Sequence, residues 1–361
     1  MRRQLIARLA LAASLAAALT SSPAATAQNV DRVKFDTCDG VELHGSFYPG
    51  KNGPKSTCAI LLHNVGGDAK NIDNSQQDGW DRLAKALQAE GLAVLTFDFR
   101  GHGNSTGIQP SFWKYPQNQG LTGFGKAETI SYKDYKKSYY PVLVNDVAAA
   151  KALLDRRNDN GECNSRSIIL IGAQEGAVIG TMWAVSELSR YQLITVNAFN
   201  SALEKTPEGK WINACVWLSM SGSQGELGNW LKLLGQKNRI PMGFLYGAND
   251  TTSANFSQRW AKELKGKTAP TDKLTAADAT PKSSLAGHNL LRKDLDTVEK
   301  IVKYCKAVGE AVTPADPAKI EFEKKGYAWR FQEAARPIIA KKPDERVLGP
   351  IPLNNLGVRT P

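Results

Sequence analysis

Residues 167–177 read Ser-Ile-Ile-Leu-Ile-Gly-Ala-Gln-Glu-Gly-Ala, and the reading of this stretch decides the fold. Ser167 to Ile171 is a short, mostly β-branched run with the character of a buried strand. Gly172 and Gly176 bracket a tight turn, and Ala177 to Val185 continues apolar at helical length. Glycines at those two places let a strand and the following helix pass closely, which thrusts the residue between them forward. That residue is Gln174. A carboxamide has no proton to lose near neutral pH and is a very poor nucleophile, so no neighbouring base can activate it.

Working outward, Val33–Asp36 and Val41–Tyr48 alternate around Asp39-Gly40, a hairpin signal. Cys58–His63 and Ala93–Phe97 are apolar runs of the kind found in parallel strands, with a helical stripe over Trp80–Ala89 between them. The pattern goes on with a helix over Val142–Leu154, the strand of the opening stretch, and a strand at Ala214–Leu218. A helix near Leu227–Leu234, a strand at Met242–Tyr246, a helix over Ala254–Leu264, a weak strand near Leu274 and a helix over Lys293–Val308 follow. Strands alternating with helices after a hairpin predict an α/β fold, a mostly parallel sheet with helices on both faces.

Five blocks now stand in a recognisable order. They are Leu61-Leu62-His63-Asn64-Val65-Gly66-Gly67-Asp68, Phe97-Asp98-Phe99-Arg100-Gly101-His102-Gly103-Asn104-Ser105, the Gly172–Gly176 turn, Tyr246-Gly247-Ala248-Asn249-Asp250, and Ala286-Gly287-His288. Together they resemble the α/β-hydrolase superfamily, in its serine-aminopeptidase and dienelactone-hydrolase-like branch. The third block is similar to the G-x-S-x-G nucleophile elbow with Gln174 in the serine slot. The resemblance implies that Asp250 orients His288, that His288 is a general base, and that the backbone N–H groups of Val65 and Glu175 face an oxyanion. The glutamine undermines the hydrolase activity the resemblance also implies. Each assignment has a plainer alternative. The elbow could be an ordinary strand-to-helix connection. Asp250, followed by Thr251-Thr252-Ser253, is also a good helix N-cap. His288 and Asp250 could be vestigial, or His288 could activate water directly.

The flanks bound the rest. Arg2, Arg3 and Arg8, an Ala/Leu-rich run over Leu9–Thr20 and small residues at Ala25-Thr26-Ala27 read as a secretory signal peptide over residues 1–27. A retained anchor fits less well, because the run is short and Pro23 follows. Loss of that segment takes the formal charge from +11 to +8. Export to the periplasm or exterior is the expectation, with no transmembrane helix afterwards. The cationic residues are dispersed and carry no nucleic-acid motif, so no nucleic-acid partner is expected. No H-x-H, H-E-x-x-H or C-x-x-C spacing occurs, and neither a metal nor a cofactor is expected. An exported chain with five cysteines permits a disulfide and leaves one thiol over. Cys58 and Cys163, at the starts of neighbouring strands, are the candidate pair, with small buried hydrophobes as the alternative.

The hydrolase-like domain is expected over residues 28–312, with an aromatic and basic insertion at 106–141 and a proline-rich basic tail at 313–361. Within the insertion, Trp113 and Tyr115 are candidates for a pocket rim that takes a small-molecule or carbohydrate ligand. A surface loop pinned by its own apolar cluster is the competing reading, and a protein partner stays open. Residues 192–210 form a second insertion. In the tail, Glu321–Ala335 could form a helix, and the chain end is expected to be extended.

Overall fold

A computed structural model describes residues 29–65, 78–197, 200–222, 226–267, 270–320, 328–331, 338–339 and 351–353. The first strands are β1 (Asp31–Asp36), β2 (Glu42–Tyr48), β3 (Thr57–Leu62), β4 (Ala93–Phe97) and β5 (Asn164–Ala173). Then come β6 (Arg190–Asn197), β7 (Asn200–Leu203), β8 (Ile212–Leu218), β9 (Met242–Gly247) and β10 (Ala276–Thr280). The helices are α1 (Asp78–Ala89), α2 (Val144–Asp159), α3 (Glu175–Glu187), α4 (Leu227–Lys232), α5 (Thr251–Leu264), α6 (Thr271–Leu274) and α7 (Thr297–Ala311).

Eight strands make one sheet in the order β1-β2-β4-β3-β5-β8-β9-β10. The β1–β2 and β2–β4 pairs are antiparallel, and every later pair is parallel. Side-chain alternation sorts the buried strands into two cores. Ile60, Leu62, Leu170 and Trp217 face one cluster with Trp183 of α3 and Leu154 of α2. Ala59, Leu61, Ile169 and Val216 face the other, with Trp80 of α1 and Ile301 of α7. The expected doubly covered sheet is therefore present.

The insertion is part of the first core and not a separate appendage. Phe112, Leu121, Ile130, Tyr135 and Tyr139 are buried in the same cluster as the sheet. A charged network anchors it. The fully buried Arg100 guanidinium lies 2.6 Å from Asp39 and 2.7 Å from Asp146. Asn118 of the insertion donates to Asp39 at 2.9 Å, and the Tyr139 hydroxyl donates to Asn118 at 2.8 Å. Buried charges are tolerated here because each has a partner.

Three expectations change. The strand anticipated near Leu274 lies just beyond it, at β10, and Leu274 itself ends the short helix α6. The tail segment expected as a helix contains instead a strand, β11 (Ala328–Phe331), which pairs antiparallel with β6 and with β12 (Ile338–Ile339). Trp329 and Phe331 stand two residues apart, a strand period that the polar surroundings masked. The described part of the chain end is also docked. Ile351 and Leu353 are buried in the first core, and the Ile351 N–H donates to Asn145 Oδ1 at 2.9 Å. Among the described residues no helix is long and apolar enough to cross a membrane.

Candidate functional site around Gln174

The sharp turn predicted between β5 and α3 is there. Gln174 has φ 48° and ψ −115°, a conformation that a side-chain-bearing residue rarely holds. Its N–H donates to the Leu218 carbonyl of β8 at 2.9 Å, which fixes the apex to the neighbouring strand. A Cβ on Gly176 would stand 2.2 Å from the His63 carbonyl oxygen, and one on Gly172 would stand 2.8 Å from Ala177 Cα. Both glycines are obligatory for that approach. A strained elbow after β5, at the carboxyl edge of a sheet in this strand order, decides the architecture. The fold is that of an α/β-hydrolase.

The apex of this hydrolase fold faces the histidine loop. A Cβ on Gly287 would lie 2.6 Å from Gln174 Oε1, so the carboxamide fills the space between elbow and loop. His288 stands next along the chain, half-buried, and burial holds its pKa below the ordinary histidine value. It is a neutral imidazole near pH 7. Its Nδ1 lies 2.8 Å from Oδ1 of Asn64. An amide oxygen accepts there, so Nδ1 carries the proton and Nε2 keeps its lone pair.

Asp250 serves elsewhere. Its carboxylate accepts from the Ser253 N–H at 3.2 Å and caps α5, the alternative its Thr-Thr-Ser context suggested. Asn64, from the block after β3, is the residue that meets His288, and sequence reasoning did not assign it a role. Its position in that block next to His63 was the available signal.

Val65 is buried at the end of the β3 block, and Glu175 opens α3. Burial pushes the Glu175 carboxyl group up from its usual range. The backbone N–H groups of Glu175 and Val65 oppose that shift as hydrogen-bond donors, with Lys137 adding a weaker pull in the same direction. The two backbone N–H groups expected to face a developing oxyanion thus act on the Glu175 carboxyl group. Gly66, Gly67 and Asp68 lie outside the described residues.

Glu175 also lines a cleft of about 240 Å³ with Lys137, Tyr140 and Pro141 from the insertion and Val178, Ile179 and Met182 from α3. The insertion does reach the elbow, through Lys137 and Tyr140. The two rim candidates lie apart from that cleft. Trp113 donates its indole N–H to the Ala127 carbonyl at 3.1 Å and lines a separate open groove of about 760 Å³ with Asp36, Glu42, Lys126 and Glu128. Tyr115 donates its hydroxyl to the Cys38 carbonyl at 2.8 Å.

The remaining motif histidines are structural. His63 accepts from the Phe99 N–H at 2.9 Å and gives its Nδ1 proton to the Asn64 carbonyl at 2.7 Å. His102 directs Nδ1 at the Arg100 carbonyl, 3.0 Å away, and stacks on Tyr132. No cluster of three or more metal-ligating side chains occurs among the described residues.

No known protein family profile matches the sequence, and no curated protein matches it. Solved structures do. An esterase of Pyrococcus furiosus is 16% identical, with 77% of this chain and 90% of that one covered at a TM-score of 0.46. A serine hydrolase without a lid from Xanthomonas campestris is 13% identical, with 78% and 94% covered at 0.45. An alpha-beta serine hydrolase homologue from Coxiella burnetii is 14% identical, with 78% and 97% covered at 0.45.

Proposed function

We propose that this chain is an exported, non-hydrolytic member of the hydrolase fold, acting in the periplasm or outside the cell as a binding or accessory protein. The observation that carries the reading is Gln174 at the apex of a fully formed, strained elbow. The scaffold that presents a nucleophile is intact, and the group presented cannot attack. The half-buried Glu175 carboxyl group beside the elbow, an acceptor where an oxyanion would need donors, supports the same reading. The cleft between insertion and α3 is the binding site for a small molecule, with an apolar wall of Val178, Ile179 and Met182 and a polar mouth of Lys137, Glu175 and Tyr140. The Trp113 groove is a second place where a carbohydrate ring would find an aromatic face.

One observation favours a second reading. His288 is a neutral base near pH 7 with Nδ1 fixed by Asn64. It could deprotonate a water molecule for direct attack on an ester or amide, without a covalent intermediate.

Purified mature protein assayed with short acyl nitrophenyl esters and a fluorophosphonate probe separates the two. The expected result is neither turnover nor labelling. Ester hydrolysis by the native chain that disappears in His288→Ala would overturn the non-hydrolytic reading in favour of the second.

A further inference from the structure

Helix α3 turns one face toward the insertion. Glu175, Val178, Ile179 and Met182 stand at positions i, i+3, i+4 and i+7, and they form one wall of the cleft of about 240 Å³. The other wall comes from Lys137, Ser138, Tyr140 and Pro141, in the segment that leads into α2. Val178, Ile179, Met182 and Pro141 are buried. Glu175 and Tyr140 are half-buried, and Lys137 and Ser138 are exposed. The cleft therefore runs from a charged mouth beside the elbow to a buried aliphatic end about two turns further along α3.

The mouth carries opposite charges that do not neutralise each other. Lys137 acts on the Glu175 carboxyl group weakly, behind burial and the backbone N–H groups, and no ion pair joins the two side chains. Among the described residues Lys137 has no hydrogen-bond or ion-pair partner, and the Tyr140 hydroxyl has no hydrogen-bond partner. Burial and then the Glu175 charge raise the pKa of that hydroxyl, so Tyr140 and Glu175 are neighbours across the cleft.

This arrangement discriminates among ligands by charge. A fatty acid would meet Lys137 but bring its carboxylate up to that of Glu175. An aliphatic amine would meet Glu175 and leave Lys137 without a partner. A neutral apolar molecule would cover both charges and compensate neither, which costs free energy. Only a molecule that carries both charges answers both walls, and the others are rejected by what they leave unpaired. The volume lies below the roughly 300–1,000 Å³ of sites that hold drug-sized ligands, so the molecule is small.

We propose that the cleft binds a free α-amino acid with an aliphatic side chain. Its carboxylate meets Lys137, its ammonium group lies between Glu175 and the Tyr140 hydroxyl, and its chain rests on Val178, Ile179 and Met182. Both charges sit on one carbon, so one small molecule reaches both walls. The inference rests on the reading of this cleft as the ligand site and names the class of ligand.

The test is calorimetric titration of the mature protein near pH 7 with four probes that share one branched chain. They are L-leucine, isoamylamine without the carboxylate, 4-methylpentanoate without the ammonium group, and 3-methylbutan-1-ol without either. L-leucine is expected to bind at least about tenfold tighter than each of the others, since a hydrogen bond to a charged group is worth that much. Glu175→Gln is expected to remove its advantage over 4-methylpentanoate, and Lys137→Gln its advantage over isoamylamine. Ser138→Trp plugs the mouth from an exposed position and is expected to abolish binding. Tighter or equal binding of a probe with one charge or none, lost in Ser138→Trp, would overturn the ligand class and leave the cleft as the site. Binding that survives Ser138→Trp, or no binding of any probe, would overturn both. L-leucine affinity unchanged by the two charge variants would overturn the assigned contacts and with them the proposal.

Discussion

His288 Nδ1 meets Oδ1 of Asn64 at 2.8 Å, while the Asp250 carboxylate is engaged by the Ser253 N–H as a helix cap. The histidine is thus oriented by a neutral amide. An amide fixes the tautomer but does nothing to stabilise the imidazolium that a general base must become. Replacing Asn64 with Asp supplies the missing charge in place. In Asn64→Asp the His288 titration, followed by NMR of the imidazole C–H resonances, is expected to move to higher pH. The direction is fixed by the physics. Burial now disfavours the charged ring, and an adjacent carboxylate favours it. An unmoved or lowered midpoint would show that the side chain at position 64 does not face His288.

Restoring a nucleophile at position 174 tests the same relationship from the other side. Gln174→Ser would have a neutral histidine held by an amide, and loss of the carboxylate from a serine triad costs roughly 10⁴-fold in rate. The serine variant is therefore expected to label slowly with fluorophosphonate. A thiol needs less help, and cysteine–histidine–asparagine sites work with this kind of amide partner. Gln174→Cys is expected to react with iodoacetamide faster than any other cysteine of the folded chain, and to lose that advantage in His288→Ala. Equal reactivity with and without His288 would place the ring out of reach of position 174.

The succession of strands along the chain and the elbow were readable because both rest on local rules. Buried strands show as runs such as Cys58–His63, and Gly172 and Gly176 mark where a strand and helix cross closely. The Asp250 role was ambiguous for an equally local reason, because a carboxylate before Thr-Thr-Ser serves a cap or a histidine with the same letters. Asn64 stood in a recognised block, but its partner was not legible. Its contact joins residues at opposite ends of the sheet sequence, and nothing in the spacing of Asn64 and His288 encodes it. Trp113 and Tyr115 looked like a rim because aromatics cluster in the insertion. Its folding turned Lys137 and Tyr140 to the elbow instead, since the buried Arg100–Asp39–Asn118–Tyr139 network fixes its path. The tail misled through composition: prolines and lysines hid the two-residue period at Trp329 and Phe331.

Glu175 is expected to suppress whatever reactivity Gln174→Ser gains. Its carboxyl group is near enough to the N–H groups of Val65 and Glu175 for them to lower its pKa, so it competes with a transition-state oxyanion that would need them. One such donor is worth roughly 10²–10³ in rate when free. Adding Glu175→Ala to Gln174→Ser should raise the fluorophosphonate labelling rate at least about tenfold, allowing for imperfect geometry. No gain, or a loss, would mean the donors do not face the nucleophile.

His102 predicts a pH dependence of stability. It is almost fully buried, its Nε2 has no hydrogen-bond partner among the described residues, and burial lowers its pKa to about 4. The unfolded ring titrates near 6.5. Between those values the unfolded state takes up a proton that the folded state refuses, so stability falls as pH falls. The interval corresponds to roughly 3 kcal/mol, complete near pH 4 and absent above pH 7. His102→Asn keeps a donor toward the Phe99 and Arg100 carbonyls and removes the titration. The stability gap between native and variant chains in urea is expected to narrow by about that amount from pH 7 to pH 4. A constant gap would contradict it.

Strain at the elbow gives the last expectation. Gln174 holds φ 48° and ψ −115°, and such a conformation costs on the order of 1–3 kcal/mol for a residue with a side chain. Glycine adopts it freely but loses roughly 0.5–1 kcal/mol more backbone entropy on folding. The balance favours the variant, so Gln174→Gly should be more stable by about 1 kcal/mol, a rise of roughly 2–4 °C in melting temperature. Gln174 is a long polar side chain kept at a position that destabilises the fold, packed against Gly287 and hydrogen-bonded to no side chain among the described residues. If its carboxamide serves a ligand, the glycine variant will be more stable and bind less. If Gln174→Gly is instead less stable, the contact of the carboxamide with the histidine loop outweighs the strain, and the side chain is there to hold that loop closed.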